Sequence, residues 1–224
     1  MIPVAHRRPV AHRALLLSVG LVLAACSTSG GATPSPSAVP TSSSVPEAAA
    51  CPTSQPAPLP AGETRTVTIE TDKGSFAIRI EADLSPIATG NFVALAGCGF
   101  YDGVVFHRVA TLQDGTPFVI QGGDPTGTGT GGPGYQIQDE AVTATYQRGT
   151  VAMARSDAPN SVGSQFFVVL DDKDQSILAQ YNTYQIIGSV SSGMDVVDTI
   201  YAAAGGQELP SSPVAMTRVS VSNP

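Results

Sequence analysis

The run TVTIETDKGSFAIRI, Thr66 to Ile80, decides the fold class. Val67 and Ile69 alternate with polar neighbours, Asp72-Lys73-Gly74 makes a turn, and Phe76, Ile78 and Ile80 alternate again. A period of two on both sides of a turn predicts a β-hairpin with one buried face. The same reading predicts strands at Val104 to Val109, Phe118 to Gln121, Thr150 to Ala154, Gln165 to Leu170, Gln185 to Val190 and Met216 to Val221, eight in all with the hairpin. Two stretches change period. Ser85-Pro86 leads into Ile87 to Ala96 and then Gly97, giving an N-cap, a first-turn proline and a terminal glycine, with Ala88, Phe92 and Leu95 on one stripe. Met194 to Ala202 repeats apolar residues at Met194, Val197 and Tyr201. Eight short strands and two helices, one near each end, predict a mainly β domain over 63–224: a closed eight-stranded antiparallel barrel capped by two α-helices. Its 162 residues are enough for one substantial core.

Upstream of Glu63 the composition changes. Ser27 to Gly62 is built almost entirely of Ser, Thr, Ala, Gly and Pro, with eight prolines in 36 residues and one charge, Glu47. Such a stretch buries too little apolar surface to offset the entropy of ordering, so a disordered, partly polyproline tether is expected over 26–62. At about 3 Å per residue it reaches up to roughly 100 Å. Before it, the basic residues Arg7, Arg8 and Arg13 precede an uncharged run from Ala14 to Ala25. Twelve residues are too few to span a bilayer as a helix, which needs about twenty. A basic start, a short apolar run and small residues at its end describe a secretory signal over 1–25. Its end, Leu23-Ala24-Ala25-Cys26, resembles the lipobox of bacterial lipoproteins, in which the cysteine is lipidated and becomes the new N-terminus; the alternative is an ordinary signal with an incidental Cys. The expectation is an extracytoplasmic domain held at the membrane through lipidated Cys26 alone. Export to an oxidising compartment makes Cys51 and Cys98 candidates for a disulfide, the alternative being two free thiols. Such a bridge would pin 51–62 against the domain.

Composition narrows the function further. Removing the signal leaves eight basic residues against 18 acidic ones, a formal net charge of −10, which repels phosphate backbones and so argues against nucleic acid as a partner. One histidine, His107, then remains, and there is no Cys-x-x-Cys, so ligands for a zinc site are lacking and no metal or cofactor is expected. No Gly-x-Ser-x-Gly elbow accompanies His107. The glycine run from Gly122 to Gly134 lacks a following Gly-Lys-Ser/Thr and opens no helix, so it reads as a flexible loop, not a phosphate cradle. The acidic residues Asp171, Asp172 and Asp174 read as a solvated loop.

Three runs stand out: Val105-Phe106-His107-Arg108-Val109, Phe118-Val119-Ile120-Gln121-Gly122-Gly123-Asp124 and Gly163-Ser164-Gln165-Phe166-Phe167-Val168. Each sets Arg or Gln close to Phe on a strand. By alternation Phe166 faces the core and Phe167 the other side, while Phe118 shares a face with Ile120 in an unbulged strand, away from Gln121. In this order, and with Asn91 to Leu95, Tyr101-Asp102-Gly103 and Met153-Ala154-Arg155, the runs resemble the cyclophilin peptidyl-prolyl isomerases over nearly all of 65–221.

The resemblance implies an eight-stranded barrel with two helices and an outer-face groove that holds an X-Pro peptide, acting on unfolded exported proteins. By position, Arg108 corresponds to the catalytic arginine and Gln121 to the glutamine beside it. Phe118, Val119, Phe167 and Leu178 correspond to the wall of the proline pocket. Ala154 and Arg155 match the backbone clamp on the residue before proline, Gln165 lines the neighbouring groove, and Tyr184 matches a rim position that is often histidine. His107 reads as structural. Three departures stand out. Ten positions separate Arg108 from Phe118 where five are common, so extra residues within Ala110 to Pro117 are expected to bulge beside the groove. Val119 and Arg155 replace a common methionine and a frequent asparagine. No Trp stands near Leu178, which removes the residue that cyclosporin exploits in some members. The competing reading is a non-catalytic proline-peptide binding module or envelope scaffold of the same fold. A monomer is expected.

Overall fold

In the computed structural model, which describes residues 50–223, the hairpin forms as its alternation requires. Strands β1 (Thr64–Thr71) and β2 (Gly74–Glu81) pair antiparallel from Thr64↔Glu81 to Thr71↔Gly74. Val67, Ile69, Phe76, Ile78 and Ile80 all lie on the buried face. The signal, Cys26 and the tether up to residue 49 lie outside the described residues, in which no helix is long and apolar enough to cross a membrane.

The remaining strands are β3 (Arg108–Thr111), β4 (Pro117–Gly122), β5 (Thr150–Met153), β6 (Phe166–Val169), β7 (Ile186–Ser192) and β8 (Met216–Ser222). They form one antiparallel sheet in the order β3-β4-β6-β5-β7-β2-β1-β8. This sheet is curled but open, which corrects the expected closed barrel. Its end strands, β3 and β8, share no ladder. The gap is spanned by the single bridge Val105↔Ala215 and by separate backbone bonds such as Phe106 N–H to Val214 O, 2.9 Å. Two prolines, Pro210 and Pro213, interrupt the chain opposite β3, and a residue without an N–H cannot continue a ladder.

Three helices form where two were expected: α1 (Pro86–Gly97), α2 (Gln175–Tyr181) and α3 (Met194–Ala203). α1 starts at the expected proline, but Ser85 does not cap it, because its hydroxyl donates to Leu84 O. The carboxylate of Glu140, more than fifty residues away, accepts from Ile87 N–H and Ala88 N–H, both at 2.9 Å. An anion there satisfies two orphan donors and lies at the positive end of the helix dipole. α2 follows a 3-10 turn at Asp172–Asp174 in which the Asp171 and Asp174 side chains each accept a backbone N–H, forming a capping box. The stretch read as a solvated acidic loop is therefore a helix start, and Asp174 is buried.

The core lies between one face of the sheet and helices α1 and α3. Phe166 anchors it, with Phe92 and Tyr101 at ring-centroid distances of 5.2 and 5.7 Å and Phe106 at 6.2 Å, all edge-on. Residues 51–62, expected as the end of the tether, lie along α1: Leu59 is buried and its N–H bonds Pro86 O at 2.9 Å. Gly90 is required here, because a Cβ would stand 2.4 Å from Ala57 O. Cys51 and Cys98 are joined as a disulfide, with a Cα–Cα distance of 5.1 Å. Closing a loop across a separation of 47 residues contributes about 4 kcal/mol on the chain-entropy account. Titration of the folded, unreduced chain is expected to find neither Cys51 nor Cys98 free, and reduction should lower Tm; two reactive thiols would overturn the bridge.

Candidate functional site

A second buried apolar cluster lies on the convex face of the sheet, separate from the core. It contains Ala110, Val119, Tyr146, Ala152, Phe167, Val169, Leu178 and Ile186, with Phe118, Ala154 and Tyr184 packed against it. Strand alternation creates it: Phe166 is fully buried in the core, whereas Phe167 points outward, 4% exposed. Register aligns one row of residues across five strands, Arg108↔Gln121, Gln121↔Phe167, Phe167↔Ala152 and Ala152↔Ile186. At about 4.8 Å per strand, Arg108 and Phe167 stand two strands apart, near 10 Å.

Phe118 reaches this cluster against strict alternation. The pairing of β3 with β4 slips between Ala110 and Thr111, from Ala110↔Val119 to Thr111↔Pro117, which leaves Phe118 without a partner. Such a bulge re-aims its side chain. The extra residues after Ala110 extend the β3–β4 hairpin, closed by Leu112 N–H to Thr116 O at 2.8 Å. A 2.7 Å bond between the Thr111 and Tyr201 hydroxyls ties the hairpin to α3.

Beside the apolar cluster runs a string of polar side chains. Arg108 Nη1 donates to Gln121 Oε1 at 3.4 Å, Gln121 Nε2 to Gln165 Oε1 at 2.9 Å, and Gln165 Nε2 to Gly129 O and Gly131 O, each at 3.0 Å. At its outer end Arg108 Nε and Nη2 both meet Glu208 Oε1 at 2.8 Å, a partner with no local sequence signal. A cavity of about 740 Å³ opens along the string, lined by Gln121, Gln165, Ala154, Arg155 and residues 129–136. Ala154 N–H bonds Gln165 O at 2.8 Å. The Arg155 side chain turns away to Asp139 at 3.0 Å and to Ala158 O at 2.9 Å, so its main chain faces the site more than its charge does. Leu178, on the unforeseen α2, packs in the outer apolar cluster and is 3% exposed. Tyr184 packs edge-on against Phe167 at 5.3 Å.

Part of the glycine run is tied to one carboxylate. Asp124 Oδ1 accepts Thr126 N–H and Oδ2 accepts the N–H groups of Thr128, Gly129 and Gly131. Burial pushes the Asp124 carboxyl up, but the bonds from Gly131, Thr126 and Gly129 outweigh it and hold the group at about 2. The left-handed φ of +85° at Gly129 lets the loop fold back over His107. His107 is buried, and burial pushes its pKa down against the pull of nearby Asp124, which suits a packing group. Burial also pushes the Asp174 carboxyl at the start of α2 up to about 6. Among the described residues no group of three His, Cys, Asp or Glu side chains is placed to hold a metal ion.

The family model "Cyclophilin type peptidyl-prolyl cis-trans isomerase/CLD" matches residues 66–221. An Arabidopsis thaliana peptidyl-prolyl cis-trans isomerase is 39% identical over 142 residues, covering 62% of this chain and 81% of its own. A Mycobacterium tuberculosis protein named for peptidyl-prolyl cis-trans isomerase B is 36% identical over 173 residues, 69% of this chain. The chain spans only 53% of that relative and 22% of a Streptococcus pyogenes one. A Cryptosporidium parvum cyclophilin crystallised in the presence of the dipeptide Ala-Pro superposes with a TM-score of 0.61 at 30% identity, over 71% of this chain and 99% of that one.

Proposed function

The chain belongs to the cyclophilin-type peptidyl-prolyl cis-trans isomerase family, and from that premise we propose that it accelerates X-Pro rotation in unfolded exported proteins, as a monomer anchored outside the cytoplasmic membrane through lipidated Cys26. The observation that supports the activity is the row from Arg108 through Gln121 to Phe167, with an apolar cluster at one end and a guanidinium at the other. Rotation about a peptide bond faces a barrier of about 18–20 kcal/mol, because resonance must be broken. In the twisted transition state the prolyl nitrogen becomes pyramidal and regains a lone pair that the planar ground states lack. A donor held near that nitrogen binds the transition state more tightly than either isomer. Arg108 has that role: it is always charged, planar and forked. Phe118, Val119, Phe167 and Leu178 hold the prolyl ring, so the preceding carbonyl turns. Gln121 orients Arg108, the main chain at Ala154 and Arg155 holds the residue before proline, and Gln165 and Tyr184 flank the peptide. The chemistry requires no base, metal or cofactor.

Support for the anchor is the basic start, the short apolar run and Leu23-Ala24-Ala25-Cys26. The full chain in detergent is expected to speed isomerisation of a short X-Pro peptide, and to partition into the detergent phase unless Cys26 is changed to Ala. A folded chain that binds proline-rich peptides without speeding them would replace the enzyme with a binding module. Partitioning that ignores Cys26→Ala would remove the lipid anchor.

A further inference from the structure

Every donor that Arg108 aims at a peptide depends on how its guanidinium is turned, and the group that turns it comes from the far end of the chain. The link from α3 to β8 reverses at Gly205 and Gly206, with φ of 59° and 79°, values that favour glycine. This delivers Glu208 to the free edge of β3. Glu208 O accepts Val109 N–H at 2.8 Å, and its carboxylate oxygen Oε1 accepts Arg108 Nε–H at 2.8 Å and pairs with Nη2 at 2.8 Å. The main-chain bond fixes the loop to the strand, so the side-chain contact starts from an anchored backbone. Nε and Nη2 form one edge of the guanidinium fork, and Glu208 occupies that edge. The other edge, Nη1 with the second Nη2 proton, stays directed along the row toward Gln121.

We propose that Glu208 is a positioning residue for Arg108. It holds the guanidinium plane so that the Nη1 edge faces the peptide, and it lowers the entropy lost when the transition state forms. This role rests on the isomerase reading of Arg108. Glu208 touches no substrate, and its effect is on turnover more than on binding. The pair is exposed, with side-chain exposures of 35% for Arg108 and 62% for Glu208, so the expected effect is modest and salt-sensitive.

The test compares the full wild-type chain with Glu208→Ala, Glu208→Gln and Arg108→Ala in detergent, each on the same X-Pro peptide. Glu208→Ala is expected to lower kcat about three- to fivefold with KM unchanged, counted per folded molecule, with a thermal melt on the same sample matching wild type so that a loss of folded enzyme is not read as lower kcat. Glu208→Gln, which keeps an acceptor but loses the charge, should recover only part of the loss. Added salt should lower the wild-type kcat toward that of Glu208→Ala and leave the variant unmoved. The Arg108 Nε–H signal by NMR should be protected from exchange in the wild type and lost in Glu208→Ala. A kcat for Glu208→Ala equal to or above wild type overturns the role, as does an unprotected Nε–H in the wild type. A wild-type chain without turnover, whose Nε–H is nevertheless protected, overturns the isomerase reading and this role of Glu208 with it.

Discussion

Arg108→Lys lowers kcat/KM on an X-Pro peptide by about 10²–10³-fold, the cost of removing one preorganised transition-state donor, while the folded state is nearly unchanged. The expectation follows from geometry. Arg108 presents a rigid fork with one edge on Glu208 and the other toward Gln121, whereas lysine is a mobile point charge that cannot serve both. Lysine still attracts Glu208, so the position stays charged and only the planar, directed donors are lost. Stability should move little, because an exposed ion pair is worth about 0–1 kcal/mol. Isomerisation kinetics with a thermal melt on the same sample checks both halves. Near wild-type turnover in Arg108→Lys would sink the assignment, and a large drop in Tm would show that the residue matters to the fold instead.

The second large effect separates two adjacent residues. Phe166 and Phe167 are neighbours in sequence but lie on opposite faces of β6, one in the aromatic core and one in the outer cluster. Phe166→Ala opens a cavity among Phe92, Tyr101 and Phe106 and is expected to cost about 3–5 kcal/mol, a fall in Tm on the order of 10 °C. Phe167→Ala also removes a buried ring and is expected to lose stability, but to lose about a further 10- to 100-fold in kcat/KM per folded molecule, because burial of a prolyl ring against it contributes on the order of 1.5–3 kcal/mol. Thermal melts and kinetics on the two variants decide it. If both lose stability equally and activity in proportion, the outer cluster is a second core and holds no ring.

Where the sequence was legible, it was so because the information is local. A period of two in 66–80 states which side chains share a face, and that parity also separated Phe166 from Phe167. The proline at the start of α1 and the turn at Asp72-Lys73-Gly74 act through their own backbone preferences and appeared where they were read. The order of the three Arg- and Gln-bearing runs suggested the groove through their resemblance to a known family, not through parity, since Ala154, Gln165, Leu178 and Tyr184 lie off the strands.

What needed the fold was every property set by a partner distant in the chain. Parity placed Phe118 on the wrong face, because the slip opposite Ala110 is decided by how β3 and β4 meet. The N-terminus of α1 is capped by Glu140, 53 residues from Ile87, and Arg108 is turned by Glu208, 100 residues away. α2 was missed because its start is an acidic capping box, a pattern that composition alone reads as solvated. Closure of the sheet failed for a related reason: whether two edge strands join depends on the N–H groups each presents once they meet, and the prolines opposite β3 withhold them. Period and propensity are properties of neighbouring residues, so one dimension carries them. Which carboxylate meets which donor depends on loop paths and on burial that lowers the cost of bringing distant segments together, and those exist only after the chain has folded.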